Sequence, residues 1–340
     1  HERENRASLP KGTKVERNLR REVQKEEMTA LYITLGVIAF FALGYVVSHI
    51  CVNVAIFERF FRRDKPEKVG NLDSPAYDLH REEMLAARQR MEKMPYERVY
   101  ITSFDGLKLS ARHYEGANDT LVIMCHGAHA YSLNNFGVYA EKLLKKGYSL
   151  LIIDQRAYGE SEGEYTSYGL KEQYDLLEWI KFCRTYANIA NIVLYGISMG
   201  AATIAFASDK IEDERVKAMI IESGYTSLYE LEHSLTSARH LPDFLFTMQR
   251  WLTKKKISVD FYASNISSLE KTTVPALFVW GNIDIVTPEG DFLDMYRHCS
   301  SEKKLISVRG AGHAVAMIAG GEKTEKQFFE FINKYTGEKK

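Results

Sequence analysis

Five continuous apolar runs constrain this chain more than any other feature. They are "TLVIMCHG" from Thr120, "YSLLIIDQR" from Tyr148, "NIVLYG" from Asn191, "VKAMIIES" from Val216 and "VPALFVWG" from Val274. A strand with one wet face alternates apolar and polar residues. These runs do not alternate, so each is expected to be buried on both faces, as in a parallel sheet covered by helices. Helical stretches at 135–146, 170–186 and 199–208 separate them. Strands alternating with helices predict a mostly parallel α/β sheet with right-handed crossovers. The C-terminal ends of the strands then share one edge, where open α/β sheets bind ligands. Upstream, "RVYITSFDGLKLSARHYEG" alternates with period two on both sides of Asp105-Gly106 and predicts a β-hairpin.

A second constraint lies near the N-terminus. No Asp, Glu, Lys or Arg occurs from Met28 to Phe57. About 20 apolar residues span a bilayer as a helix, so residues 29–57 are expected to form one transmembrane anchor. A cleaved signal peptide fits less well, because the polar leader is long and no small-residue cleavage site follows clearly. Residues 1–28 read as a polar arm, either a solvated helix or disordered. Residues 58–95 read as a linker, rich in turn formers from Pro66 to Pro75, followed by a juxtamembrane helix. That helix offers Tyr77, Met84, Leu85, Met91 and Met94 for burial. The flanks carry equal numbers of basic residues: Lys14, Arg17, Arg20, Arg21 and Lys25 before, and Arg59, Arg62, Arg63, Lys65 and Lys68 after. The side of the membrane facing the remaining domain is therefore not decided by charge. The chain opens on His1 rather than methionine, so its natural start is expected to be missing or replaced.

Composition excludes several classes. With 45 basic and 45 acidic side chains the net charge is zero, which argues against a nucleic-acid partner. Cys51, Cys125, Cys183 and Cys299 form no CxxC and no Cys/His cluster, so neither a metal site nor a disulfide framework is expected.

The run from Asn191 ends in Gly196-Ile197-Ser198-Met199-Gly200, a G-x-S-x-G between a strand and a helix. Glycines at both ends permit a sharp turn that lifts the Ser198 hydroxyl above the sheet. The N–H of Met199, at the start of the helix, faces where an oxyanion would develop. A serine needs a base, and a histidine held by a carboxylate supplies one. Among ten histidines, His313 lies in the glycine-rich loop after the predicted strand 304–308, at the same edge. Asp284 lies just beyond the predicted strand 276–280. In "CHGAHA", the N–H of Ala128 after Gly127 is the second oxyanion donor, and His126 is structural. His129 is open between substrate contact and surface residue, and Cys125 is expected to be buried and inert.

On these residues, the chain from about Arg98 to Tyr335 resembles the α/β-hydrolase superfamily. The likeness is greatest to the branch of monoacylglycerol lipases and serine-aminopeptidase-like hydrolases, in particular its membrane-anchored bacterial members. The order Ser198, Asp284, His313 is that fold's order of nucleophile, acid and base. "DQRAYGES" is similar to the branch's D-x-R-x-x-G-x-S, placing Asp154, Arg156, Gly159 and Ser161 as loop braces. "GNIDIVTP" is similar to its acid loop. Some members take the acid from the preceding strand, which makes Glu222 a rival to Asp284. The resemblance implies an α/β-hydrolase domain over 96–337, with a helical cap at about 224–272. It also implies no metal or organic cofactor, and a location in a bacterial cell membrane.

The implied activity is a serine hydrolase acting on an acyl bond, foremost a carboxylic ester, through an acyl-enzyme. The cap segment holds an apolar cluster of Leu241, Phe244, Leu245, Phe246, Met248, Trp251 and Leu252. An apolar cap beside a membrane anchor favours a small, lipid-like acyl substrate. Lys254, Lys255 and Lys256 read as a solvated face or as contacts to anionic lipid. Peptidase or amidase activity, acyl transfer, and a non-catalytic interaction role remain alternatives, since fold alone does not choose a substrate. An exopeptidase would need an acid to hold a free amine, for which Glu222 and Glu230 are the candidates. Oligomeric state is not legible.

Overall fold

The computed structural model describes residues 13–56, 78–130, 132–238 and 243–337. They divide into two units, within His1–Cys51 and Val52–Lys340. The expected linker up to Tyr77, with its basic flank from Arg59 to Lys68, lies outside the described residues, as does Leu241.

The first unit is a helix, α1 (Lys14–Ile56), whose last turns run past the unit's end. It starts at Lys14 rather than at the apolar boundary because Thr13-Lys14-Val15-Glu16 is a capping sequence. The Thr13 hydroxyl accepts the N–H of Glu16 at 3.3 Å. The polar leader therefore continues straight into the apolar stretch as one helix, since charged residues on a solvated helix do not interrupt it. By length and composition, Lys14–Asn53 is able to cross a membrane. The hydroxyls of Thr29 and Thr34 each donate to the carbonyl four residues back, at 2.8 Å. These polar side chains thus find partners within the helix.

The second unit begins its regular structure with α2 (Arg81–Lys93), the hairpin β1 (Glu97–Thr102) and β2 (Lys108–Tyr114), and β3 (Thr120–Cys125). There follow α3 (Ser132–Lys145), β4 (Ser149–Asp154), α4 (Glu172–Phe182), β5 (Asn191–Ile197), α5 (Met199–Ala207) and β6 (Val216–Glu222). Next come α6 (Leu228–Ala238), α7 (Asp243–Ile257), α8 (Ile266–Leu269), β7 (Ala276–Gly281) and α9 (Glu289–His298). The unit closes with β8 (Lys303–Val308), α10 (Ala316–Ala319) and α11 (Gly321–Thr336).

Among the described residues the strands form one eight-stranded sheet, ordered β1-β2-β4-β3-β5-β6-β7-β8. Only β2 breaks the parallel run, pairing antiparallel with β1 and β4. The hairpin and all five doubly buried strands are where the sequence places them. Successive residues of each apolar run feed opposite faces. Val122 and Met124 of β3, with Val193 and Tyr195 of β5, face the layer built with α2, α3 and α11. Leu121 and Ile123, with Ile192 and Leu194, face the layer built with α4, α5 and α9. Burying a side chain of this size contributes roughly 1.5–3 kcal/mol, and the continuous runs do so on both faces at once.

The helix expected before the hairpin is α2. It lies on α3 and buries Met84 and Met91, with Leu85 and Met94 half-buried. Arg90 adds a two-pronged contact to Glu141, at 2.6 and 2.8 Å. Its apolar side thus covers the sheet unit. In the segment after β6, Phe246 and Leu252 are buried in the cluster under α7, with Met248 packed against them. Trp251 departs from the expected cluster: it is 54% exposed on the outer face of α7 with Lys254 and Lys255. The Lys255 ammonium stands 5.0 Å from its ring.

Candidate active site

β3, β5, β6, β7 and β8 run parallel, so Cys125, Ile197, Glu222, Gly281 and Val308 end at one edge of the sheet. The segments leaving that edge carry Ser198, Met199, Ala128, Asp284 and His313. Ser198 sits between β5 and α5 with φ 54° and ψ −114°. That left-handed φ costs a non-glycine residue on the order of 1–3 kcal/mol. It persists because the turn is clamped on both sides. The Ser198 N–H donates to the Glu222 carbonyl at 2.8 Å. A Cβ on Gly200 would lie 1.8 Å from the Cys125 carbonyl oxygen, and one on Gly196 would lie 2.4 Å from the Gly200 carbonyl. Only glycine lets α5 start this close to β3, which is the physical content of the G-x-S-x-G.

The structure brings Ser198, His313 and Asp284 together. His313 Nε2 lies 2.9 Å from Ser198 Oγ, and His313 Nδ1 lies 2.9 Å from Asp284 Oδ2 and 3.1 Å from Oδ1. Asp284 is itself oriented, because its Oδ1 accepts the N–H groups of Val286 and Thr287, both at 2.9 Å. Its side chain is fully buried, while the His313 ring keeps some exposure. The acid and histidine loops are laced to each other. The Asn282 side chain accepts the Gly310 N–H at 2.7 Å, and the Ala311 carbonyl accepts the Ile283 N–H at 3.1 Å. With Nδ1–H donated to Asp284, Nε2 is left as an acceptor for the Ser198 hydroxyl proton.

Glu222 is not a partner of His313. Its buried carboxylate accepts the Tyr195 hydroxyl at 2.6 Å and the Met317 N–H at 3.0 Å. Burial, the largest influence, pushes its pKa up, while the hydrogen bonds from the Met317 N–H and the Tyr195 hydroxyl and, less strongly, the nearby His313 pull in the opposite direction. Glu230, the other acidic candidate for holding an amine, is exposed to solvent on α6.

The loop after β3 is built around His126. The ring is fully buried. The Gln155 N–H donates to His126 Nε2 at 3.1 Å, so Nδ1 carries the proton and donates to the Gly127 carbonyl at 2.7 Å. The Gln155 amide also donates to the His126 carbonyl. Asn135 Oδ1 accepts the Gly127 N–H at 2.9 Å, and the Tyr158 hydroxyl accepts the His129 N–H at 2.9 Å. Ala128 lies between these two tethered N–H groups. Met199 opens α5, where no helical carbonyl is available to its N–H. His129 stands half-buried with φ 55°, its Nε2 3.4 Å from the Tyr168 hydroxyl. Burial raises the pKa of the Cys125 thiol, so it is a poor thiolate.

Asp154 and Arg156 lie off the chemistry and hold the turn after β4. Asp154 accepts from the Ser110 hydroxyl at 2.9 Å, from Arg98 at 3.1 Å and from the Glu160 N–H at 3.3 Å. Arg156 grips Asp175 at 2.7 Å and Asp105 at 2.9 Å, joining the hairpin turn to α4. Sequence reasoning missed Gln155, Asn135, Ser223 and Thr287. Gln155 stands inside "DQR" at an unspecified position. The others bind backbone, which no spacing announces.

Residues 120–257 match the family described as alpha/beta hydrolase fold. The uncharacterized protein YqkD of Bacillus subtilis is 23% identical over 320 residues, spanning 90% of this chain and 98% of its own length. The uncharacterized membrane protein YNL320W of Saccharomyces cerevisiae is 24% identical over 230 residues, 67% of this chain and 77% of that protein. Among solved structures, the Pyrococcus furiosus esterase Pf2001 superposes with a TM-score of 0.60 at 23% identity, over 72% of this chain and 93% of the esterase. This chain has the α/β-hydrolase fold.

Proposed function

We propose that the protein is a membrane-anchored serine hydrolase that cleaves acyl bonds, carboxylic esters of lipid-like character foremost. The observation that carries this reading is the hydrogen-bonded series from Ser198 through His313 to the buried, twice-anchored Asp284. Ser198 Oγ attacks the acyl carbonyl as His313 Nε2 takes its proton. The N–H groups of Ala128 and Met199 hold the oxyanion, and Asp284 stabilises the imidazolium. On collapse the leaving alcohol departs with the proton from His313, and Ser198 holds the acyl group. Water, deprotonated by His313, releases the acid and regenerates the serine.

The esterase name of the Pyrococcus neighbour supports ester chemistry. So does the commitment of Glu222 to Tyr195 and Met317, which removes it as a holder of a substrate amine. α1 is the anchor, a reading supported by its length and apolar composition and by the yeast relative's description as a membrane protein. The buried and half-buried apolar side chains of α6 and α7 form a cap whose inner side suits an acyl chain.

The test is labelling of the full chain in detergent with a fluorophosphonate, which reacts with an activated serine. Wild type is expected to label, and Ser198→Ala and His313→Ala are not. Labelling of Ser198→Ala at the wild-type rate would overturn the assignment.

A further inference from the structure

Two consecutive residues at the end of β6 touch all three segments that bear Ser198, Asp284 and His313. The Glu222 carbonyl accepts the Ser198 N–H at 2.8 Å, in the nucleophile turn. The Ser223 carbonyl accepts the Thr287 hydroxyl at 3.2 Å, and the Thr287 N–H in turn donates to Asp284 Oδ1 at 2.9 Å. The histidine loop is held twice. Ser223 Oγ accepts the Ala314 N–H at 3.1 Å, and the Glu222 carboxylate accepts the Met317 N–H at 3.0 Å. Tyr139 completes the grip by donating its hydroxyl to the Met317 carbonyl at 2.8 Å.

The backbone is bent for this purpose. Ser223 and Ala314, joined by that side-chain bond, have φ of 50° and 60°, both left-handed and both non-glycine. Such conformations persist only where the surroundings over-determine them. Residues 222–223 are fully enclosed, at 1% and 0% exposure, so no water replaces a lost partner cheaply.

We propose that Glu222-Ser223 is the positioning element that sets His313 against Ser198. The two side chains fix the histidine loop from beneath, while the backbone of the same two residues fixes the serine and acid loops. This inference rests on the reading of Ser198, His313 and Asp284 as a catalytic triad. Glu222 and Ser223 are positioning residues that act through these hydrogen bonds to the three loops.

The experiment compares Glu222→Leu, Glu222→Gln and Ser223→Ala with wild type and Ser198→Ala. All are full-length chains in detergent, assayed for fluorophosphonate inactivation and for kcat and KM on p-nitrophenyl butyrate. Gln keeps an oxygen for the Met317 N–H; Leu keeps none. Glu222→Leu and Ser223→Ala are expected to lose about 10- to 100-fold in inactivation rate and in kcat, with KM nearly unchanged, the scale of a displacement of up to an ångström. Glu222→Gln is expected to restore most of the loss. A general structural role would not produce that rescue or that division between kcat and KM. Should Glu222→Leu fail to fold, Ser223→Ala carries the same expectation alone. Wild-type rates in Ser223→Ala and Glu222→Leu would overturn the proposal. A Glu222→Gln chain as slow as Glu222→Leu would overturn it too, replacing hydrogen bonding by charge. If Ser198→Ala labels like wild type, the triad reading has failed instead, whatever the Glu222 variants do.

Discussion

Replacing Asp284 by Asn probes the proposed mechanism at one atom. Asp284 Oδ1 is pinned by the N–H groups of Val286 and Thr287, both at 2.9 Å. An asparagine placed there must keep its carbonyl oxygen on those donors, since its amide nitrogen cannot accept them. The amide NH2 is then forced into the place of Oδ2, 2.9 Å from His313 Nδ1. Two donors cannot face each other, so Nδ1 loses its proton and Nε2 gains one. Ser198 then meets an N–H 2.9 Å away instead of an acceptor. A base held in the wrong tautomer costs about 10⁴-fold in turnover, or about 5.5 kcal/mol of transition-state stabilisation. The turn survives because Asn accepts the same two N–H groups, so the thermal midpoint is expected within a few degrees of wild type. The assay is p-nitrophenyl butyrate hydrolysis beside fluorophosphonate inactivation, with a melting curve on each sample. A folded Asp284→Asn chain within 10-fold of wild type in both would refute the reasoning and return the acid to another residue.

Three further expectations follow from packing and burial. Gly200→Ala places a methyl 1.8 Å from the Cys125 carbonyl, backbone that has nowhere to go, and is expected to cost on the order of 4 kcal/mol or abolish folding. Gly290→Ala in α9 meets nothing within 4 Å and should gain up to about 1 kcal/mol of helix propensity; melting temperatures in the opposite order would contradict the geometry. Burial pushes the Asp291 carboxyl up to about 6 from 3.8, although it accepts from the Thr226 N–H at 3.1 Å and from the Thr226 hydroxyl. The folded state then binds a proton that the unfolded state releases between about pH 4 and 6, so this group's contribution to stability falls as pH rises through that window. Asp291→Asn should flatten that decline in melting curves taken from pH 4 to 7, and an unchanged slope would exclude Asp291 as its source.

Much of this architecture is legible in the chain because burial on both faces of a strand leaves short unbroken apolar runs, five of them here, set between longer helical stretches. Val122 and Ile123 face opposite layers, and both must be apolar. The proposed site is legible for a related reason: a nucleophile turn at the end of such a strand requires glycine at fixed offsets, as Gly196 and Gly200 show. Bonds to backbone leave no such trace. Nothing in "IIES" says that Ser223 accepts the Ala314 N–H ninety-one residues away, because any acceptor of the right reach serves. The exposure of Trp251 is not legible, because a helix with apolar residues at many positions does not announce which side faces inward. The start of α1 was legible in the Thr13–Glu16 capping sequence but masked by the contrast between polar and apolar halves.

The order of the sheet also has a consequence in time. Ser198 and His313 are separated by 115 residues, and the histidine follows β8, the final strand and an outer edge of the sheet. During synthesis His313 follows Ser198 by more than a hundred residues, with α10 and α11 still to come, so on the proposed mechanism the serine would stay chemically silent until β8 docks. Long-range parallel pairing is slow to form. On that reading reactivity toward a phosphonate would be a late property of the folding chain, and such a probe would count molecules with β8 in place where spectroscopic signals of the sheet also count partial ones.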